Sequence, residues 1–165
     1  MSRVVIRRCA AAVLTTVGAA SAAVLATPTA SAAPDTMCPA PGASTSTVTA
    51  EGASCSASST GGSAAAAYGF GGAATADAGP SSLSLAIAQN GGTATSQSTF
   101  LSGPAAIAVG PGSNAAVTGV RPGLSIGISG PGATVTVSGL STPTCTGGFG
   151  FAGDFQTLQG CLSIQ

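Results

Sequence analysis

The chain has 165 residues, with four Arg and no Lys, four acids, and neither His nor Trp. Its residues are 44% hydrophobic but only 4% aromatic, too few rings to fill an ordinary thick core. Abundant serines without a histidine or lysine to activate them exclude the common nucleophilic hydrolases.

The first stretch reads as a secretory signal. Arg3, Arg7 and Arg8 form a positive start, Ala10 to Leu25 is an uncharged apolar run, and Ala30-Ser31-Ala32 supplies a small-residue cleavage site. The run is diluted by Thr15, Thr16 and Gly18, which disfavours an uncleaved membrane anchor. Nothing flanking Arg7-Arg8 supports a twin-arginine route, and Pro34-Asp35-Thr36-Met37 before Cys38 is no lipobox. Cleavage after residue 32 leaves a mature chain with Arg121 as its one cation. Asp35, Glu51, Asp77 and Asp154 set a net charge of −3. Such a surface has no electrostatic footprint for nucleic acid, and no second long apolar run predicts a membrane span. The expected location is secreted or at the cell envelope.

Cys9 leaves with the signal, so Cys38, Cys55, Cys145 and Cys161 remain. An even count in a small exported chain predicts two disulfides, with three pairings open. Cys38–Cys55 and Cys145–Cys161 are favoured, since each closes a local loop worth about 3 kcal/mol. Without His or a C-x-x-C pair, a zinc site is not expected. Residues 33–63, rich in Ser, Thr, Ala and Pro, are expected to form a flexible arm pinned by the first disulfide.

From Ala64 to residue 140, short runs of alternating small and aliphatic residues are cut by Gly and Pro every nine to eleven residues. Ile107 and Val109, Val117, Ile126 and Ile128, then Val135 and Val137 mark strand-like segments. Gly110-Pro111-Gly112 and Gly130-Pro131-Gly132 recur 20 residues apart, which suits a flattened two-strand coil. Gln97 interrupts the aliphatic series, and Gly127 between Ile126 and Ile128 shifts its parity by one. The pattern predicts an all-β protein, a β-solenoid or β-roll of short strands, with an antiparallel meander or sandwich as the alternative. Ala, Thr and Ser at alternate sites favour the solenoid, whose sheets approach closely. Gly plus Pro, 35 of 165 residues, stays below the roughly 25–30% of low-complexity chains.

Residues 141–165 carry Phe149, Phe151 and Phe155, candidate apolar contacts, and are expected to cap the open end of the stack. Phe151, Phe155, Leu158 and Leu162 share one helical face, with Asp154 as a candidate N-cap. Gly147-Gly148-Phe149-Gly150-Phe151-Ala152 follows a calcium-binding β-roll repeat until Ala152 replaces its aspartate, so calcium is not expected. Asp77 and Asp154 could in principle form a glycosidase pair, but isolated acids in a Gly/Ala scaffold read instead as solubilising charges.

Two resemblances add to this reading. The Arg-led signal ending Ala30-Ser31-Ala32, then Ala33-Pro34-Asp35 and four cysteines, resembles the small Ala-rich secreted proteins of mycobacteria and related actinobacteria, a group without an assigned function. That resemblance implies a cell-envelope or culture-medium location and no activity. Ala106-Ile107-Ala108-Val109-Gly110 with Ser113-Asn114-Ala115 resembles head repeats of trimeric autotransporter adhesins, which implies stacked β-roll geometry. The functional expectation is a non-enzymatic structural or interaction protein needing no cofactor. Its expected partner is a cell-wall component or another copy of itself. A carrier of small apolar ligands using the Phe-rich segment is the alternative.

Overall fold

Gly and Pro turns fold the chain into short strands that pass back and forth between two facing sheets. The computed structural model describes residues 35–165, so the signal read over 1–32 lies outside them. Fourteen strands and no helix are present among the described residues: β1 Asp35–Pro41, β2 Ser44–Ala50, β3 Ala53–Ser59, β4 Ala64–Phe70, β5 Ala73–Ala78, β6 Leu83–Gln89 and β7 Thr93–Ser98. The chain continues through β8 Ser102–Val109, β9 Asn114–Gly119, β10 Gly123–Ser129, β11 Thr134–Val137, β12 Thr144–Thr146, β13 Gly150–Asp154 and β14 Gln159–Ser163. The first sheet has the order β1-β4-β6-β8-β10-β13-β14, the second β12-β11-β9-β7-β5-β3-β2. From β3 to β11 successive strands alternate between the sheets, and neighbours within each sheet are parallel. This is a β-solenoid of about four turns. Antiparallel pairing is confined to its two ends, where β1 and β2 cover one and β12, β13 and β14 the other.

The core is built almost wholly of alanine. One inward column in the first sheet runs Cys38, Ala67, Ala86, Ala106, Gly127, Ala152 and Cys161. Facing it in the second sheet is Cys55, Ala74, Ala94, Ala115, Val135 and Cys145. Across the disulfides that join these columns, the two sheets' Cα atoms stand 5.8 and 5.7 Å apart. Sheets in an ordinary sandwich lie about 10 Å apart, with Leu, Ile and Phe between them. At this shorter distance a methyl group fills the gap, and Ala67, Ala76, Ala86, Ala94, Ala106 and Ala115 are wholly buried.

Gly127 shows how tight the fit is. A Cβ there would lie 2.7 Å from Val117 Cγ2 and 3.1 Å from Val135 Cγ1, so valine on one sheet is matched by glycine on the other. The parity shift that Gly127 marks in the sequence is taken up outside the strands. Ala86 and Ala106 are 20 residues apart, whereas Ala106 and Gly127 are 21 apart, and the intervening turn holds the additional residue. Ile107 and Ile128 are therefore direct neighbours on the outer face, while Val117 and Val137 point inward.

A ladder of buried serines closes one turn after another. The Ser63, Ser82 and Ser102 hydroxyls each donate to the carbonyl three residues earlier, at 2.6, 2.7 and 2.6 Å. Ser113 does the same at 2.7 Å on the opposite edge. The last turn, after β9, has no such serine. There the Gln156 side chain reaches back, its Oε1 accepting from the Val120 and Arg121 amides at 3.2 Å each.

Two expectations are corrected. Residues 35–59 are β1, β2 and β3 rather than a flexible arm, and the parallel repeat begins at Ala53, before Ala64. The arm was expected because Ser/Thr/Ala chains bury too little apolar surface to order themselves. In closely spaced sheets each strand has only methyl-sized positions to fill, and its backbone bonds to a sheet already present. The C-terminal segment is a hairpin, β13–β14, rather than a helical turn. The free edge of β10 requires strand partners for its amides and carbonyls, and glycines at 150, 153 and 160 weaken a helix there. Asp154 still caps, in a different way. Its carboxylate accepts from the Gln156 amide at 3.0 Å and the Thr157 hydroxyl at 2.8 Å, closing the hairpin turn.

Gly127→Val is expected to destabilise the fold by about 1–3 kcal/mol, as overpacked cores do. Adding Val117→Ala to the same chain should recover most of that loss, read as the thermal midpoint by circular dichroism.

Candidate functional site

The four sequence-predicted cysteines form two disulfides, Cys38–Cys55 and Cys145–Cys161. Each ties the first sheet to the second, and each stands at one end of the alanine columns. They are staples of the scaffold, consistent with an oxidising environment. Asp77 and Asp154 are not brought together, since β5 and β13 make no contact. Asp77 lies on the outer side of the second sheet, where the Ser58 hydroxyl donates to its carboxylate. Asp154 points inward in the first sheet, 2% exposed, and is occupied by its turn. No group of three or more His, Cys, Asp or Glu that could hold a metal occurs among the described residues. No helix long and apolar enough to cross a membrane occurs among the described residues.

What the solenoid does create is two broad outer faces of opposite chemistry. On the first sheet, one row crosses all seven strands: Met37, Tyr68, Ile87, Ile107, Ile128, then Phe151 and Leu162. A second row runs Pro39, Ala66, Leu85, Ala105 and Ile126 to Gly153. Leu83 and Leu124 lie beyond it, 62% and 63% exposed. Tyr68 and Phe70 stack on this face with ring centroids 6.4 Å apart and planes 4° from parallel. The candidate apolar contacts Phe149, Phe151 and Phe155 are all exposed. Antiparallel pairing of β13 with β10 sets Phe151 beside Ile128, so the ring extends the face. Phe155 lies next to Leu124, to whose carbonyl its amide donates at 3.0 Å. Between Leu83, Leu85 and Leu124 the face dips into a shallow apolar trough of about 350 Å³, floored by Gly103, Pro104 and Ala105. Asp35, on the border strand, is the one ionisable carboxylate of β1, β4, β6, β8 and β10.

The outer face of the second sheet is polar and uncharged over most of its area. One rank runs Thr47, Ser56, Thr75 and Thr95, passes Ala116, and continues to Thr136 and Thr144. Two residues along each strand a parallel rank runs Thr49, Ser54, Ala73 and Thr93, passes Asn114, and ends in Thr134 and Thr146. Between the ranks, β5, β7, β9 and β11 turn the core residues Ala74, Ala94, Ala115 and Val135 inward, whereas Val48 on the end strand β2 is exposed. Thr93, Thr134, Thr136, Thr144 and Thr146 are exposed. Shallow space of about 390 Å³ at one margin of this face is lined by Thr49, Ser54, Thr93 and turn glycines.

Sequence reasoning found the repeat without these faces. The signal was present in the outward positions at alternate residues, hydroxyl in one half-coil and aliphatic in the next, which becomes visible only once the 19-, 20- and 21-residue coils are aligned.

Residues 1–164 match the model of the family of unknown function DUF6764, and the chain belongs to that family. No curated protein matches it, and no solved structure does.

Replacing Cys38 and Cys55 together by serine is expected to cost about 3 kcal/mol of stability from the lost loop constraint. Urea denaturation should show the loss, and limited proteolysis should cut first within β1 and β2, because that disulfide fixes β1 to β3 and closes the loop that holds β2.

Proposed function

We propose that this protein is exported and acts as a non-enzymatic structural module of the cell envelope, pairing with a second copy through the outer face of its first sheet. The apolar row from Met37 to Leu162 is the observation that carries this reading. Seven strands at about 4.8 Å and seven residues at about 3.3 Å give a face on the order of 700 Å². Stable pairs bury about 800 Å² per partner, so the face is of the required size. Two such faces meeting at about 10 Å would interdigitate Ile, Leu and Phe as an ordinary sandwich does, completing a thick core that one copy lacks. With Asp35 at its border as the main charge, the face meets its own copy without like-charge repulsion. An anionic lipid surface fits less well, because Arg121 is the only cation of residues 35–165. The phenylalanines lie spread over the face rather than around a closed cavity, which favours a docking surface over a carrier of small apolar ligands.

Light scattering on a sizing column tests the pairing. The disulfide-intact protein should elute at twice its chain mass through the micromolar range. Ile107→Lys, at the centre of the row, should elute at the single-chain mass with unchanged far-UV circular dichroism. A wild-type protein of single-chain mass throughout that range would overturn the reading, and retention on isolated cell-wall material by such a monomer would move the partner to the wall.

A further inference from the structure

We infer that the outer face of the second sheet binds ice, holding an ordered layer of water on its two hydroxyl ranks. The argument starts from spacing. Neighbouring strands repeat at about 4.8 Å, and residues two apart on a strand repeat at about 6.7 Å. A hydroxyl at each crossing of these repeats makes a rectangular net, and hexagonal ice presents oxygen repeats close to both lengths along its a and c axes. Eleven of the fourteen positions in the two ranks are Thr or Ser, and nine of them are Thr.

Threonine suits this task for a physical reason. Its β-branched side chain has restricted χ1 freedom, so its hydroxyl is held in place before water arrives and little rotamer entropy is lost on binding. Its methyl group makes the surface between hydroxyls apolar, so water there is organised by a sparse set of fixed polar points rather than by a dense polar surface. Stacked coils bonded in register also oppose the strand twist that would carry the ranks out of phase.

The charge and ring inventory narrows the occupant. Neither rank contains an ionisable residue, so no counter-ions disturb the water layer. No aromatic side chain stands in either rank to stack on a sugar ring, which disfavours a polysaccharide. Asp77 lies in the adjoining row and is already bonded by Ser58. Ala73 interrupts one rank on β5, and β9 breaks both ranks with Asn114 and Ala116, which leaves hydroxyls on β2, β3, β5 and β7 to one side of it and on β11 and β12 to the other. The longest run of unbroken hydroxyl positions is Thr47, Ser56, Thr75 and Thr95 on adjacent strands.

The inference is independent of pairing through the first sheet. Two copies joined there would leave both hydroxyl faces outward, and a single copy exposes the same face.

The test is partition of the disulfide-intact protein into a slowly growing ice hemisphere, together with inhibition of ice recrystallisation. Wild type is expected to enter the ice and keep crystals small, whereas an inert protein of similar size stays in the liquid. Thr93→Tyr and Thr136→Tyr place bulky rings on two exposed strand positions compatible with β structure. Each should lose both effects while keeping the wild-type thermal midpoint, and Ile107→Lys on the opposite sheet should keep both effects. Exclusion of wild type from ice, or full ice entry by both tyrosine variants, overturns the inference. Exclusion from ice with retention on insoluble cellulose or chitin overturns it in favour of a glycan surface.

Discussion

The distance between the two sheets governs everything else in this molecule. Backbones that approach within the reach of a disulfide leave room for a methyl group and little more. Alanine therefore fills the interior, glycine appears where the opposite strand carries valine, and large side chains are driven outward. Burying a methyl group contributes only about 0.8 kcal/mol. A core of this kind leans on its long backbone ladders, its serine-closed turns and its two covalent staples. The small interior has an external consequence as well. Aliphatic and aromatic residues with no place inside form a continuous surface on one side, and hydroxyls take the other.

Much of the architecture was legible because it is periodic. Alternation of small with larger residues, and Gly-Pro-Gly at a 20-residue interval, indicate flattened coils, and the local pairing of the cysteines follows from the short loops that it closes. Other features were hidden for identifiable reasons. Ser/Thr-rich residues 35–59 look disordered when judged against an ordinary core, because the judgement assumes that order requires large buried side chains. Phe151, Phe155, Leu158 and Leu162 have helical spacing, yet the edge of β10 needs a strand, and that long-range demand is not written in local periodicity. The series Ile87, Ile107, Val117 and Val137 mixes outward isoleucines of one sheet with inward valines of the other. Only strand register separates them.

Function is harder to read for the same reason that the fold is easy. Chemistry in enzymes usually sits where a few unlike residues converge, and such convergence stands out in a sequence. Here the notable surfaces consist of many like residues in rows. No single position is informative. Thr95 or Ile107 acquires meaning from its neighbours one coil away, and those neighbours are 19 to 21 residues distant in the chain. Asp77 and Asp154, the residues that catch the eye in an acid-poor chain, serve local bonding on separate sheets.

The reversed strands at the two ends set the terms on which such a protein can change in length. Between β3 and β11 each coil bonds to parallel neighbours, while β1, β2, β12, β13 and β14 run antiparallel and carry Cys38, Cys145 and Cys161, with Cys55 on the adjoining β3. A duplicated or deleted coil in the middle would leave both closures intact and simply widen or narrow the two faces by one row. The same change across either end would remove a staple and expose an unpaired edge. The solenoid is thus a ruler with fixed end-stops, in which surface area can vary by whole coils while the interior, one methyl thick, never has to be redesigned.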